Sequence, residues 1–149
     1  MALFIYLLVM VGSFFLINVK DVVTLYVPYP DSSSIIAHKP HMYICIRVTG
    51  LLCEMVKCQS FKPYHATPGT PPTHRIIEHP DPLSNPFKHP TVIDLDKIFV
   101  VTHSLIHDKL KASRGVGDAI YDQIIKNLSP TAPRITFSDA DLRTVNYKL

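Results

Sequence analysis

The chain has 149 residues, of which 47% are hydrophobic and 18% are charged, and this balance excludes an intrinsically disordered protein. Its length is that of one domain with a sizeable core. Thirteen prolines against five glycines argue against a mostly helical protein, because proline interrupts helix interiors. The net charge of +3 permits an acidic partner such as RNA without requiring one.

The cysteines and histidines predict neither a metal site nor a disulfide framework. Cys45, Cys53 and Cys58 are odd in number and lack the CxxC spacing of metal ligands. The histidines between residues 74 and 89 lie at irregular intervals and have no partner at helical spacing. We therefore expect no metal, no cofactor and reduced, mostly buried thiols, which are typical of a cytoplasmic protein.

Residues 1–18 form an apolar leader. Residues 1–17 carry no charge, and their length is just short of the stretch that spans a bilayer. They also lack the basic start and the cleavage site of a signal peptide. Three interpretations remain open: a membrane anchor, an additional buried strand or helix, or upstream sequence read from a start placed too early. We favour the third, with Met10 as the start, because the pattern of a compact domain begins only at Lys20.

Five β-prone stretches follow, bounded by prolines, glycines and polar loops. They predict strands over residues 19–29, 42–48, 51–60, 73–78 and 91–101, the last being the longest strand signal of the chain. The turn at Thr49 and Gly50 predicts a hairpin between the second and third strands. Most of the prolines fall within residues 61–90, which predicts a long loop of functional importance.

The spacing of the apolar residues changes from that of a strand to that of a helix after the fifth predicted strand. Ile120, Ile124 and Leu128 form an apolar stripe at helical spacing, which predicts a helix over residues 118–128. Residues 129–149 form a tail, with a short strand at 134–137 and a short helix after the cap signal of Ser138 and Asp141. The predicted fold is mainly β: a small SH3-like barrel of five or more antiparallel strands, with a C-terminal helix and a short helical tail.

Five short motifs stand in order along the chain, and in this order they resemble the MazF/PemK family of toxin endoribonucleases. The resemblance covers residues 19–128, and it implies the SH3-like barrel as the fold of that domain. The motifs are Lys20-Asp21-Val22-Val23, His38-Lys39-Pro40, Met55-Val56-Lys57-Cys58-Gln59-Ser60, Pro72-Thr73-His74 and Thr91-Val92-Ile93-Asp94-Leu95-Asp96-Lys97-Ile98.

The resemblance implies the toxin of a type II toxin–antitoxin pair, a homodimer whose partners are single-stranded RNA and a cognate antitoxin. Such enzymes need no metal: the ribose 2′-hydroxyl attacks the adjacent phosphate. This step needs a base, a group that stabilises the phosphorane charge and an acid. The implied catalytic residues are Lys39 for the phosphate charge, Ser60 for a hydrogen bond to the phosphate and Asp96 for proton transfer.

The expected substrate-binding residues surround these three: His38, His41, Gln59, Phe61 and Lys97. Lys39 and His41 are expected on one strand face, and Asp94 and Asp96 on another. The chain differs from the family at Lys39, where an arginine is usual, at Gln59, where a threonine is usual, and at Lys97, where a glutamine is usual. The alternative is therefore an SH3-like module that binds RNA, DNA or a protein without cleaving.

Overall fold

The structure, a computed structural model, describes residues 17–146, so the predictions for residues 1–16 lie outside the described residues. It contains seven strands: β1 (Val22–Leu25), β2 (His41–Thr49), β3 (Leu52–Ser60), β4 (Arg75–Glu78), β5 (Thr91–Asp94), β6 (Ile98–Thr102) and β7 (Arg134–Thr136). The α-helices are α1 (Ile35–His38), α2 (Asp118–Asn127) and α3 (Asp139–Asn146). Three short 3-10 helices span Pro63–Ala66, His103–Leu105 and Asp108–Leu110. No helix within residues 17–146 has the length and apolarity needed to cross a membrane.

The predicted fold class is confirmed: a mainly antiparallel sheet with a C-terminal helix, of the α+β barrel-like kind. β1, β2, β3, β5 and β4 follow one another across the sheet, and β6 also pairs with β3. All of these pairs are antiparallel, and only β7 runs parallel to its neighbour β6. Arg134 at the start of β7 donates to the buried Glu54 carboxylate at 2.6 Å, which ties the last strand to β3.

The sheet is buried on both faces, and each face has its own apolar core. Alternate residues of a strand point to opposite faces, so neighbouring positions join different cores. Val23, Cys45 and Met55 belong to the first core, whereas Val22, Ile44 and Val56 belong to the second. This two-sided burial accounts for the nearly continuous apolar runs of the strands, which a sheet with one wet face would not need.

Helices and loops cover the two faces. On α2, Ile120 and Ile124 pack into the second core. On α3, Leu142 packs into the first core together with Ile17, the first described residue, so the packed domain begins before Lys20. The predicted cap of α3 is present, because the Ser138 hydroxyl accepts a hydrogen bond from the Asp141 amide at 3.1 Å.

One prediction is wrong: residues 91–101 are not a single strand. Ser60 pairs with Thr91 and Met55 pairs with Phe99, so five steps along β3 correspond to eight along its partners. The three additional residues, 95–97, leave the strand between β5 and β6. The Asp94 carboxylate holds this bulge by accepting from the Asp96 amide at 2.9 Å and pairing with Lys97 at 3.3 Å.

Two further predictions differ at the start of the domain. The first strand was expected over residues 19–29, but β1 is only Val22–Leu25, since the chain turns away before the prolines at 28 and 30. Lys39 was expected on one strand face with His41, but the residues before it form the short helix α1. Lys39 ends that helix, so it does not share a strand face with His41.

The three thiols are buried and free, as predicted. Cys45 and Cys53 lie on neighbouring strands, with their sulfur atoms 3.0 Å apart in the first core. Cys58 lies in the second core, where burial raises the pKa of its thiol.

We predict that Gly115→Ala destabilises the fold. A Cβ at Gly115 would lie 2.2 Å from the backbone oxygen of Lys20, directly beside β1, so the two segments would have to separate. Overpacking of this kind costs about 1 to 3 kcal/mol. Gly117→Ala is the matched control, because its Cβ would meet ordinary contacts at 3.7 Å. Urea unfolding of both variants measures the difference, and equal free energies of unfolding would contradict this packing.

Candidate functional site

A cleft of about 500 Å³ lies at one end of the sheet. Five segments meet there: α1, the start of β2, the end of β3, the 3-10 turn after β3 and the loop before β5. We call it the cationic cleft, because six of its lining side chains are basic or titratable to a cation: Lys39, His41, Lys57, Lys62, Lys88 and His89.

Strand pairing brings these segments together. β2 begins where β3 ends, because Met42 pairs with Cys58. Ser60, the last residue of β3, pairs with Thr91, the first residue of β5. Three strand termini therefore lie side by side, and the loops that leave them form the walls. Apolar side chains of α1 complete the rim, among them Ile35, which is 72% exposed.

No carboxylate lines the cleft among the described residues. Four lysines therefore face the cavity without an acidic residue on its wall. A concave, partly desolvated surface concentrates the field of such charges. The cleft is consequently suited to an anion. Because its four lysines are spread along the wall, an anion with several charges fits it best.

His41 has a lowered pKa, and its geometry leaves one ring nitrogen available. Burial lowers the pKa of the imidazole, and the neighbouring Lys57 ammonium lowers it further. His41 Nδ1 lies 3.1 Å from the Lys39 carbonyl oxygen, which can only accept, so Nδ1 carries the proton. In the neutral ring Nε2 then holds a lone pair at the cleft wall. This is the arrangement of a general base that works near neutral pH.

Lys57 also has a lowered pKa. Burial disfavours its ammonium, the Asp94 carboxylate opposes this effect and Lys97 adds to it. Lys57 stands directly opposite Tyr43 in the sheet, and by strand alternation it shares a face with Gln59. A partly desolvated ammonium of this kind stabilises developing phosphate charge strongly and releases a proton more readily than an exposed lysine.

The structure brings together half of the sequence-predicted site residues. Lys39, His41, Gln59 and Ser60 all line the cleft. His38, Phe61, Lys97 and Asp96 do not. His38 is exposed at the end of α1, while Phe61 lies against the His65 ring with centroids 5.8 Å apart. Lys97 pairs with Asp94 in the bulge after β5.

Asp96 lies away from the cleft and holds a loop. Ser60 pairs with Thr91 at one end of β5, whereas Asp94 ends the strand about 10 Å away and Asp96 lies beyond it. Its carboxylate accepts from the Thr73 amide at 2.6 Å and the His74 amide at 2.8 Å. Burial raises the pKa of Asp96, but these hydrogen bonds and the His74 ring outweigh burial and lower it. Asp94 is likewise committed to the bulge, so the two carboxylates are not an acid–base pair at the cleft.

Sequence reasoning missed four charged or titratable residues of the cleft: Lys57, Lys62, Lys88 and His89. Lys57 could have been found from strand alternation, since it stands two positions before Gln59 on a predicted strand. Lys88 and His89 lie at the end of the proline-rich segment, and only tertiary folding returns this segment to the end of β3. The Phe61 amide donates to the Pro90 carbonyl at 2.9 Å and fixes this return.

Within residues 17–146, no group of three or more histidine, cysteine, aspartate or glutamate side chains is placed to hold a metal ion. Comparison with protein-family models, with curated proteins and with solved structures gives no match for this chain.

We predict that Asp96→Asn lowers the free energy of unfolding. The variant cannot accept both amide hydrogen bonds as a carboxylate does, and such bonds contribute about 1 to 3 kcal/mol. Because folding lowers the pKa of Asp96, its stabilisation is fully present above the ordinary value of about 3.9 and is lost as the pH falls through the folded pKa.

Urea unfolding at neutral and acidic pH measures this effect. At neutral pH the free energy of unfolding of the wild type should exceed that of Asp96→Asn. The difference between the two should shrink in acid. Asp122→Asn on the exposed side of α2 is the control, and it should leave the free energy of unfolding unchanged at both pH values. Equal free energies of unfolding of the wild type and Asp96→Asn at neutral pH would contradict this structural role of the carboxylate.

Proposed function

We propose that this protein binds single-stranded RNA in the cationic cleft and cleaves it without a metal, as the toxin of a toxin–antitoxin pair. The observation that carries the proposal is the lining of the cleft: four lysines and two histidines, with no carboxylate among the described residues. RNA is a flexible polyanion, and Tyr64, which is 57% exposed at the same wall, suits an unpaired base.

The proposed reaction follows from the groups that meet there. His41 Nε2 takes the proton of the ribose 2′-hydroxyl, and the 2′-oxygen then forms a bond to phosphorus. The bond from phosphorus to the 5′-oxygen breaks, and this oxygen leaves with a proton from Lys57. The products are a 2′,3′-cyclic phosphate and a 5′-hydroxyl, so no water or metal enters this step.

Lys39 and Ser60 act on the phosphate. Both line the cleft, and Lys39 is close enough to His41 to lower the pKa of its ring. In the transition state the phosphorane carries an additional negative charge, which the Lys39 ammonium stabilises. The Ser60 hydroxyl donates to a non-bridging oxygen. Asp96 has no role in this proposal, because its oxygens are already bound to the 73–74 segment.

The antitoxin, the homodimer and the cytoplasmic location belong to the same proposal, because they follow from the resemblance to the MazF/PemK family. The buried, free thiols are compatible with a reducing compartment. A toxin of this kind should arrest growth when it is expressed without its antitoxin.

We predict that Lys39→Ala lowers cleavage of single-stranded RNA about 10²- to 10³-fold and weakens RNA binding far less. The ammonium interacts most strongly with charge that develops only in the transition state. Lys39→Arg should retain or improve cleavage, since a guanidinium binds a phosphate with two hydrogen bonds. The measurement uses EDTA-treated protein and end-labelled RNA, with a binding titration at fixed salt.

Lys126→Ala is the matched control, because Lys126 is an exposed lysine on α2 outside the cleft. It should change neither rate nor affinity. If the wild type binds RNA of varied sequence and never cleaves, the protein is a binding module. If Lys39→Ala cleaves at the wild-type rate, the cation that stabilises the phosphorane is another lysine of the cleft.

We further predict that the rate rises with pH as His41 loses its proton, at a pH below the ordinary histidine value of about 6.5. Lys57→Gln removes a positive charge that disfavours the His41 imidazolium, so the pKa of His41 should rise. The acid limb of the pH–rate profile should therefore move to higher pH. Single-turnover rates across the pH range measure this shift. A limb that stays in place after the substitution would exclude His41 as the base.

A further inference from the structure

A second set of contacts lies at the edge of the cationic cleft, where β3 ends and the 3-10 turn Pro63–Ala66 begins. His65 is buried there, with 1% of its surface exposed. The Lys62 amide donates to His65 Nδ1 at 2.8 Å, and the Gln59 side-chain nitrogen Nε2 lies 3.2 Å from His65 Nε2. The Tyr64 ring packs on His65 with centroids 4.4 Å apart.

The buried imidazole fixes the orientation of the Gln59 amide. Because Nδ1 accepts from Lys62, the proton of the neutral ring is on Nε2, which is therefore a donor. Two donors do not face each other, and a half-turn of a side-chain amide exchanges its nitrogen and oxygen. We therefore assign the Gln59 amide with its oxygen toward His65 Nε2 and its NH₂ group facing away. Burial lowers the pKa of His65, and Arg75 and Lys62 lower it further, so the ring stays neutral at pH 7.

Three side chains at this edge are placed to contact different parts of a nucleotide. Tyr64 packs on His65, yet more than half of its surface is exposed where it lines the cleft. Gln59 also lines the cleft. With the assigned orientation its oxygen accepts from His65, so it offers only hydrogen-bond donors to the cleft. Lys62 lines the same wall and is exposed, so it can reach a neighbouring phosphate.

We propose that Tyr64, Gln59 and Lys62 form a base-binding subsite that selects keto bases of single-stranded RNA. This inference rests on the proposed function and names the feature of the substrate that the cleft recognises. An unpaired base stacks on Tyr64, and the Gln59 NH₂ group donates to a keto oxygen at its edge. Uracil and guanine present such an oxygen where cytosine and adenine present an amino group, which would face the Gln59 donor without a partner. His65 is the positioning residue.

The test uses binding alone, so it does not depend on cleavage. Short 2′-O-methyl oligonucleotides lack the attacking hydroxyl and are stable to this chemistry. We compare oligomers of uracil, of cytosine and of abasic sites by fluorescence anisotropy at fixed salt. The wild type should bind the uracil oligomer about five- to tenfold more tightly than the cytosine oligomer, as expected for one hydrogen bond gained and one donor left unpaired.

Gln59→Glu gives the most specific test, because it keeps the shape of the side chain and replaces the hydrogen-bond donor that faces the cleft by an acceptor. One carboxylate oxygen accepts from His65, and the other faces the cleft as an acceptor, which favours the amino group of cytosine. The added negative charge lowers the affinity for every oligomer, so the readout is the ratio of the two affinities within one variant. The ratio should shift from uracil to cytosine.

Two more variants separate stacking from edge recognition. Tyr64→Ala should reduce binding of both base-containing oligomers to that of the abasic oligomer, whereas Tyr64→Phe should behave as the wild type. His65→Asn should remove the preference for uracil while stacking on Tyr64 remains. Circular dichroism checks that this variant is folded like the wild type. If it is not, Gln59→Glu alone tests the recognition of the base edge.

Equal affinity of the wild type for uracil and cytosine, or an unchanged ratio in Gln59→Glu, overturns the subsite. Absence of binding to every oligomer overturns it as well. Its failure is distinct from failure of the proposed function: a protein that cleaves RNA but does not discriminate bases is an enzyme without this subsite. A protein that prefers uracil but never cuts unmodified RNA has the subsite without the catalysis.

Discussion

The structure depends on the position of β3, which is paired along both edges and buried on both faces. One edge pairs with β2 and the other with β5 and then β6, so three strands take their register from it. Its alternate residues enter the two cores, with Met55 in one and Val56 in the other. Toward its end the same alternation continues outside the cores and presents Lys57 and Gln59 at the cleft.

The carboxylates at and after the end of β5 are bound outside the lining of the cleft. The carboxylates of Asp94 and Asp96 are bound to the bulge and to the 73–74 segment, where amides and cations satisfy them. The described lining of the cleft holds no carboxylate, although Lys57 lies near enough to Asp94 for that carboxylate to oppose the lowering of its pKa by burial. Burial lowers the pKa of both His41 and Lys57, and the Lys57 ammonium lowers the pKa of His41 further, so the cleft acquires two groups that lose a proton more readily than their exposed counterparts.

Two kinds of recognition follow from the two sides of the cleft. The side formed by Lys39, His41 and Lys57 is electrostatic and suits a phosphate in any sequence. The side formed by Gln59 and Tyr64 is directional, since the buried His65 ring fixes which atoms of the amide face outward. In the proposed function, the first side binds phosphate, whereas the second side adds stacking and selects the base.

The sequence by itself determined the fold class, the hairpin between β2 and β3, α2 and α3, because apolar periodicity and cap signals are local properties of the chain. It also identified Lys39, His41, Gln59 and Ser60, which lie at predicted strand ends. Tertiary structure decided that Asp96 leaves the site and that Lys88 and His89 enter it. The physical reason is that the bulge after Asp94 and the return of the proline-rich segment both depend on pairing with β3, which lies far away in the sequence.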